Sequence, residues 1–316
     1  MHIPRILIVG SINMDLCMYN VDGMPKIGAS SFCSDYEYAE GGKGSNQAFA
    51  AARLGAEAVM VGRVGSGDSN GQKLLASMEK AGVHTDFIVR DEKHRTGMSI
   101  MSILQEGKYY SIYAKGANDY ISPEDVKAAL DDNVYDMLLM QLEMPLETVY
   151  RSYEMAKERN IPVFLDAGPA MNIPLDRLRG VTVISPNEVE TEALTGIKAD
   201  DDCGARKAAY QLYQEVAPKY VIIKLGKRGV LFYDGKEAKR IPAFPVDAVD
   251  TTAAGDTFGA AFAIQYCMGK TAEKAIDFAQ AAAALCVTRK GGHASIPTIQ
   301  EVERFLEKTG GVPELC

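Results

Sequence analysis

The chain lacks the patterns that mark several common classes of protein. Its six cysteines show no CxxC spacing and its four histidines no paired spacing, so the sequence predicts neither a disulfide framework nor a zinc site. Lys and Arg number 34 against 42 Asp and Glu, without a basic block, which argues against nucleic acid or an anionic membrane as a partner. No apolar run approaches the roughly 20 residues of a membrane-spanning helix. We therefore expect a cytoplasmic protein with reduced thiols that acts on a small molecule.

The 316 residues are 47% hydrophobic and alternate between strand-length apolar runs and helical patterns. Continuous β-branched strands separated by helices predict a doubly wound α/β fold, a mainly parallel sheet in one domain over residues 1–316. The predicted strands are Ile6–Val9, Ala58–Val61, Met137–Met140, Val163–Leu165, Val181–Ile184, Val221–Leu225 and Val230–Tyr233. The predicted helices are Ser45–Leu54, Gln72–Lys80, Leu146–Arg159, Phe258–Met268, Thr271–Thr288 and Ile299–Lys308.

Two regions, residues 15–39 and 97–114, break this rhythm. The second alternates with period two around a turn at Gly107, which is typical of antiparallel strands with one wet and one apolar face. We predict a small inserted antiparallel β-sheet that serves as a lid over a site or as a dimer contact. The alternative is a simple β extension of the main sheet.

The run from Val249 to Phe258 ends an extended segment and opens a helix with small residues around one carboxylate. The amides of Ala254, Gly255 and Asp256 can turn toward a phosphate, because a helix N-terminus favours negative charge. Asp256 would then stand beside that phosphate as a base. The alternative is that Asp256 only caps the helix.

A second glycine cluster also opens a helix. Gly41 and Gly42 let the backbone approach a ligand closely, and Lys43 and Asn46 offer donors suited to hydroxyl groups. The cluster is neither a Walker A loop nor the dinucleotide fingerprint GxGxxG. A plain helix start with Ser45 or Asn46 as the cap is the alternative.

Polar side chains also follow two of the predicted strands. Asn13 and Asp15 come after the first strand, and Glu143 follows Met137–Met140. In open α/β sheets the ligand crevice lies beyond the carboxyl ends of the strands, so these residues are predicted to line its mouth. A carboxylate acceptor and a bifunctional amide suit a polyol, although Glu143 could equally be a cap or an exposed loop acid.

Asn187 and Glu190 lie three residues apart after a predicted strand. On one face of a helix they could hold Mg²⁺-bound water and phosphate oxygens, and a capping box is the alternative. Gly226 and Gly229 predict a tight turn whose amides could face a nucleotide, although any β-hairpin turn has similar residues.

In this order, the motifs make the chain resemble the ribokinase branch of the PfkB carbohydrate kinase family over essentially its whole length. The two signature regions are Gly41–Gln47 and Asp250–Phe258, with Asn187–Glu190 between them. Ala253 stands where the broader signature has glycine, and Gly28-Ala29-Ser30 replaces the usual Gly-Glu-Thr near the lid.

The resemblance implies roles for named residues. Asp256 would be the general base, which deprotonates a primary sugar hydroxyl as it attacks the γ-phosphorus of MgATP, and the amides of Ala254, Gly255 and Asp256 would form the anion hole. The implied sugar-binding residues are Asn13, Asp15, Gly41, Gly42, Lys43, Asn46, Glu143 and Asp256. The implied nucleotide-binding residues are Asn187, Glu190, Lys224, Gly226, Lys227, Arg228, Gly229, Gly255 and Gln280.

The resemblance also implies Mg²⁺ with ATP and a monovalent-cation site, for K⁺, beside the anion hole. The matching positions are Asp250, Thr252, Cys286, Arg289, Gly291 and Ser295, the last four through their backbone carbonyls. His293 falls in the same loop and is either a ligand contact or a bystander.

The predicted activity is therefore ATP-dependent conversion of D-ribose to D-ribose 5-phosphate, by a homodimer formed through the lid. A deoxyribose, fructose or nucleoside kinase is the alternative, although Asp15, Lys43 and Glu143 favour a free pentose. A non-catalytic sugar-binding protein is disfavoured, because the base and the anion hole are both present. A nicotinamide oxidoreductase is disfavoured because the segment Gly10–Asn13 lacks the remaining glycines of the fingerprint.

Overall fold

The computed structural model describes residues 2–104 and 109–310, which form 13 strands and ten α-helices. The strands are β1 (Arg5–Val9), β2 (Asn13–Val21), β3 (Asp35–Gly41), β4 (Glu57–Gly65), β5 (Ile88–Asp91), β6 (Gly97–Leu104), β7 (Tyr109–Ala114), β8 (Met137–Met140), β9 (Val163–Asp166), β10 (Val183–Ser185), β11 (Tyr220–Lys224), β12 (Val230–Tyr233) and β13 (Ala238–Ile241). The helices are α1 (Lys43–Arg53), α2 (Ser69–Ala81), α3 (Pro123–Asp132), α4 (Leu146–Glu158), α5 (Glu188–Thr195), α6 (Asp202–Val216), α7 (Ala254–Cys267), α8 (Ala272–Val287), α9 (Gly292–Ser295) and α10 (Ile299–Thr309).

Nine strands form a large sheet in the order β13-β12-β11-β10-β9-β8-β1-β4-β5. The strands from β11 to β5 are parallel, and β12 and β13 are antiparallel at one edge. Side chains of β1 alternate between two apolar cores, with Ile6 and Ile8 in one and Leu7 and Val9 in the other. The large sheet therefore has an apolar core on each face, as expected for continuous apolar strands. The predicted doubly wound α/β fold is confirmed.

The other four strands form a separate small sheet in the order β3-β2-β6-β7. Its outer pairs are antiparallel as predicted, whereas the central pair β2–β6 is parallel. Both central strands continue outward shortly after parallel strands of the large sheet, β1 and β5, and so run in the same direction. The small sheet is therefore confirmed, the simple extension of the main sheet is wrong, and the turn at Gly107 lies outside the described residues.

Several helix starts differ slightly from the predicted ones. Helix α1 begins at Lys43, two residues before the predicted Ser45, because Gly42 with φ 91° turns the chain at its N-cap. Neither Ser45 nor Asn46 caps it. Helix α7 is buried on all sides and packs Phe262 against Phe164 of β9, with ring centroids 5.6 Å apart. This packing holds the start of α7 at the carboxyl edge of the large sheet.

The described part of the chain also bears on the predicted absences. Its cysteines, Cys17, Cys33, Cys203, Cys267 and Cys286, are free thiols. Over residues 2–104 and 109–310, no cluster of three or more His, Cys, Asp or Glu side chains is arranged to hold a metal. None of the helices described there combines the length and apolar character needed to cross a membrane.

Candidate active site

Asp256 lies in the first turn of α7 and is only 4% exposed. Its Oδ2 accepts a hydrogen bond from Asn46 Nδ2 at 2.9 Å, and its buried Oδ1 has no hydrogen-bond partner among the described residues. The side chain does not cap the helix, so that alternative is wrong. Burial raises the pKa of Asp256 to about 7, with Lys43 opposing the shift and Asp166 adding to it.

The start of α7 offers backbone donors to an anion. Within the described residues, the amides of Gly255 and Asp256 donate to no acceptor, whereas the Ala254 amide makes a 3.3 Å bond to the Thr251 carbonyl. A Cβ on Gly255 would lie 3.5 Å from Lys224 Nζ, so an ammonium group stands beside the same turn. Two free amides, a helix dipole and a lysine together favour a phosphate.

Ala253, the residue before this turn, has φ 61° and ψ 2°, in the left-handed region. A residue with a Cβ pays about 1–2 kcal/mol for that conformation, which glycine adopts freely. This left-handed conformation turns the chain immediately before the amides at the start of α7. The position where the sequence departs from the broader signature is therefore a strained one.

Asp166 and Lys224 form a buried ion pair that was not predicted from the sequence. Lys224 Nζ donates to Asp166 Oδ1 at 2.5 Å, and Gln47 Nε2 donates to Oδ2 at 3.4 Å. Burial would raise the pKa of Asp166, but Lys224 and Lys43 outweigh burial and lower it. Asp166 is the last residue of the buried strand β9. A carboxylate at the end of a predicted strand is the local signal that could have marked it as a site residue.

Lys43, the first residue of α1, lies among several carboxylates. Its amide donates to Glu143 Oε2 at 3.2 Å, and its Nζ lies 3.9 Å from Glu190 Oε1. Burial would lower the pKa of Lys43, but Asp166, Asp256 and these two glutamates hold it well above the usual value. Lys43 is therefore charged whenever the site is intact. The same Glu143 oxygen also accepts a hydrogen bond from the Ser11 hydroxyl.

Asp15 and Asn13 project from the start of β2 and are 8% and 5% exposed. Burial raises the pKa of Asp15 to about 7, although the Ser99 hydroxyl donates to its Oδ1. Asn13 Oδ1 accepts from Asn118 Nδ2 at 2.7 Å, and the Ile12 amide donates to Asn118 Oδ1 at 2.9 Å. Ser99 and Asn118 were not predicted, because nothing local marks a buried polar residue as a support for another.

The glycines of the second cluster allow a close approach between α1 and β2. A Cβ on Gly42 would lie 2.6 Å from the Asn13 amide nitrogen, and one on Gly41 would collide with the Asp15 carboxylate. The predicted sugar-binding residues of both motifs are therefore brought together in one place. No larger residue fits between them.

On the predicted nucleotide side, Asn187 and Glu190 form a capping box. Asn187 Oδ1 accepts from the Glu190 amide at 2.9 Å, and Glu190 Oε2 accepts from the Asn187 amide at 2.7 Å. The capping alternative is confirmed, and it uses two of the four polar atoms of these side chains. A role of the others in binding phosphate or Mg²⁺ stays a prediction.

The predicted turn after β11 is present, closed by a 3.0 Å bond from the Gly229 amide to the Gly226 carbonyl. Its Arg228 is engaged with Glu188 at 2.7 Å, and Lys227 is exposed. Gln280 of α8 donates to the Pro242 carbonyl at 2.8 Å. A Cβ on Gly229 would lie 2.6 Å from the Ala243 nitrogen, so Gln280 and the turn meet the same segment.

The predicted cation ligands also converge. Asp250 Oδ1 accepts from the Thr252 amide at 2.9 Å, and Oδ2 accepts from the Gly291 amide at 3.0 Å. The Cys286 thiol lies 3.1 Å from the Ser295 hydroxyl and 3.6 Å from the Thr252 carbonyl. Arg289 directs its guanidinium to Glu301, so only its backbone faces this loop.

His293, predicted to be either a ligand contact or a bystander, is buried in the interior. It is 2% exposed, stacks on Phe49 with ring centroids 4.2 Å apart, and lies between Ser45 and Ser77 at 3.1 and 3.0 Å. Burial lowers its pKa to about 3, so the ring is neutral. It joins the loop after α8 to α1 and α2 instead of facing the site.

The chain is similar to known proteins over nearly its whole length. The family model described as pfkB family carbohydrate kinase matches residues 4–299. A ribokinase of Haemophilus influenzae is 38% identical over 96% of this chain and 98% of that protein. A deoxyribokinase of Salmonella typhi is 33% identical over 95% of this chain and 98% of that protein.

The fold agrees as well. The structure of Arabidopsis thaliana ribokinase complexed with ribose and ATP matches with a TM-score of 0.87 and 31% identity, over 97% of this chain and 99% of that one. The similarity in sequence and in fold thus extends over nearly the whole chain. The chain therefore belongs to the pfkB family of carbohydrate kinases and is a sugar kinase that transfers phosphate.

Proposed function

We propose that this kinase transfers the γ-phosphate of ATP to the primary hydroxyl of D-ribose and so makes D-ribose 5-phosphate. The observation that carries the proposal is the buried Asp256, whose Oδ1 has no partner among the described residues and lies in the same helical turn as the Gly255 and Asp256 amides, which donate to none of those residues. A base with a raised pKa next to backbone amides that can bind an anion suits phosphoryl transfer to an alcohol. The likeness to ribokinases supports ribose as the sugar.

In this mechanism Asp256 Oδ1 takes the proton of the primary hydroxyl as the hydroxyl oxygen bonds to the γ-phosphorus. The bond between that phosphorus and ADP breaks, and ADP leaves with its electron pair. The free amides of α7 and the Lys224 ammonium stabilise the negative charge on the transferring group. Asn46 holds the base in place through its 2.9 Å bond to Oδ2.

The sugar would be held by acceptors and donors from three elements. Asp15 and Glu143 accept hydrogen bonds from sugar hydroxyls, while Asn13 and the charged Lys43 donate to them. Gly42, whose lack of a side chain keeps the loop against β2, leaves room for the ring. Each of these groups is already positioned by a neighbour, which reduces the entropy lost on binding.

The nucleotide would lie along the turn after β11, with the Asn187 amide group, Lys224 and Gln280 beside it. These residues offer nitrogen donors and a positive charge, which suit phosphate oxygens. Mg²⁺ delivered with ATP would neutralise negative charge on the phosphates. The capping box uses Glu190 Oε2, and the other oxygen, Oε1, would accept a hydrogen bond from a water bound to the metal.

We further propose that K⁺ binds in the loop of Asp250, Thr252, Cys286, Gly291 and Ser295. Carboxylate, hydroxyl and carbonyl oxygens converge there, and hard cations prefer such oxygen donors. The Thr252 and Cys286 carbonyls and the Arg289 backbone complete the set. A cation in this loop would hold the strained turn at Ala253 and so aim the amides of α7.

The small sheet is proposed to act as a lid in a single kinase domain and to join two copies of the chain. Leu16, Tyr38, Ile100 and Ile112 occupy one cross-strand row and share a face of the sheet. Tyr38 and Ile112 are 56% and 57% exposed, and Tyr36 on the same face is 62% exposed. An apolar face of this kind is suited to pairing with a second copy.

A deoxyribose kinase is the second candidate, because the Salmonella deoxyribokinase is 33% identical over the same range. The two activities differ by one sugar hydroxyl. ADP release measured with ribose, 2-deoxyribose, fructose and several nucleosides decides between them. The highest kcat/KM with ribose is expected, and a higher value with another sugar would reassign the substrate.

The mechanism is tested in the same assay with Asp256→Asn. Loss of a general base is expected to lower kcat by about 10²–10⁴-fold. Asp247→Asn, which removes an exposed carboxylate near the same segment, is the matched control and keeps wild-type kcat. Full activity in Asp256→Asn, or no turnover of any sugar by the wild type, would refute the proposal.

A further inference from the structure

One face of the small sheet carries a row of polar side chains. Asp15 of β2 pairs with Ser99 of β6, and Ser99 pairs with Tyr113 of β7. Directly paired residues place their side chains on the same face of a sheet. The hydrogen bond from the Ser99 hydroxyl to Asp15 Oδ1 shows this for the first pair. Tyr113 therefore lies on the face that carries the proposed sugar-binding carboxylate.

The neighbouring positions of β7 point the other way. Ile112 pairs with Ile100, and Tyr110 pairs with Ser102. Ile100 and Ser102 lie one and three residues after Ser99 along β6, so their side chains are on the opposite face of the sheet from the Ser99 side chain. Both Ile112 and Tyr110 are exposed on the face away from Asp15. Among the aromatic side chains that the structure describes in β7, Tyr113 is thus the one turned toward the site.

Tyr113 is 53% exposed and lies on the face of the small sheet that carries Asp15. Partial burial is the main cause of its raised pKa, the charges of Glu143 and Asp15 add to the shift, and Ser111 and Lys43 oppose it. Those carboxylates only accept hydrogen bonds, while a phenol both donates and accepts. A half-exposed phenol on the same face of the small sheet as Asp15 can therefore hydrogen-bond a hydroxyl of a bound sugar.

We infer that Tyr113 is a specificity-determining sugar contact, whose hydroxyl hydrogen-bonds one hydroxyl of the bound sugar from the small sheet. The inference rests on the proposed function and adds to it a residue for which the sequence analysis assigned no role. Because the strand is part of the small sheet, this contact also links sugar recognition to the placement of the lid.

The test is Tyr113→Phe, which removes the hydroxyl and keeps the ring. With the sugar that the wild type turns over best, KM for the sugar is expected to rise about 3- to 10-fold, the effect of one lost hydrogen bond. KM for ATP stays the same, since the nucleotide is on the other side of the site. Tyr210→Phe, at an exposed tyrosine of α6, is the matched control with unchanged constants.

Deoxy sugars identify the partner hydroxyl. For the sugar that lacks it, wild type and Tyr113→Phe have equal kcat/KM, whereas for 2-deoxy or 3-deoxy sugars that retain it the difference persists. If the wild type phosphorylates sugars but Tyr113→Phe has the same KM, the inference is wrong while the proposed function stands. If the wild type phosphorylates no sugar, the proposed function itself fails.

Discussion

At the scale of residues, two buried aspartates of one site have opposite pKa shifts. Asp166 contacts the Lys224 ammonium at 2.5 Å, and its pKa is lowered. Asp256 accepts from the neutral Asn46 amide, and burial raises its pKa. Environments that separate the pKa values of neighbouring acids assign them different roles. Asp166 is the permanent counter-ion of the lysines, and Asp256 is the group able to take a proton.

This assignment predicts the pH dependence of the reaction. Below its raised pKa Asp256 is protonated and cannot act as a base, so kcat/KM is expected to fall as the pH drops through about 7. The measurement is a profile of kcat/KM from pH 5 to 9. The pKa of Asp15 is also raised to about 7, so the profile is repeated with Asp15→Asn. If the acid limb disappears in that variant, the limb does not report Asp256.

At the scale of elements, the start of α7 depends on a loop that is distant in sequence. Asp250 accepts from the amides of Thr252 and Gly291, so one carboxylate ties the segment before α7 to the segment after α8. The Val249 amide adds a 2.7 Å bond to the Val287 carbonyl. A cation bound in this loop would therefore fix the position of the backbone amides at the start of α7.

We predict activation by K⁺ on this basis. The rate in K⁺ is expected to exceed that in choline by at least about fivefold, within the usual range of coupling between two sites. Asp250→Asn removes the negative charge and replaces one carboxylate oxygen by an NH₂ group, which cannot accept from the backbone amide that it faces, and the variant is expected to lose the response to K⁺. Asp247→Asn keeps it. Equal rates of the wild type in K⁺ and in Na⁺-free choline buffer would contradict the cation site.

At the scale of the whole molecule, the apolar face of the small sheet predicts a dimer. Light scattering is expected to give twice the chain mass of 34.2 kDa. Tyr38→Asp would bury a charge without a partner in the contact and shift the mass toward one chain. Tyr210→Asp, at an exposed tyrosine of α6, leaves the mass unchanged. A wild-type protein with the mass of one chain would refute the contact.

The local features of this protein could be predicted from its sequence. Apolar runs marked the central strands, because a strand buried on both faces needs apolar residues throughout. The glycine clusters marked the starts of α1 and α7, where the backbone turns sharply. Motifs that follow strands marked Asn13, Asp15 and Glu143, since parallel strands end at one edge of the sheet. Each of these signals lies within about ten residues of chain.

The tertiary structure alone decided which side chains meet. Asn118 orients Asn13, Ser99 supports Asp15, and Lys224 neutralises Asp166, across separations of 105, 84 and 58 residues. It also decided that β2 and β6 run parallel and that His293 faces the interior. The sequence by itself determined the elements and the residue types of the site, because these depend on local periodicity and backbone freedom. Burial and pairing depend on contacts between distant segments, and only the fold brings those segments together.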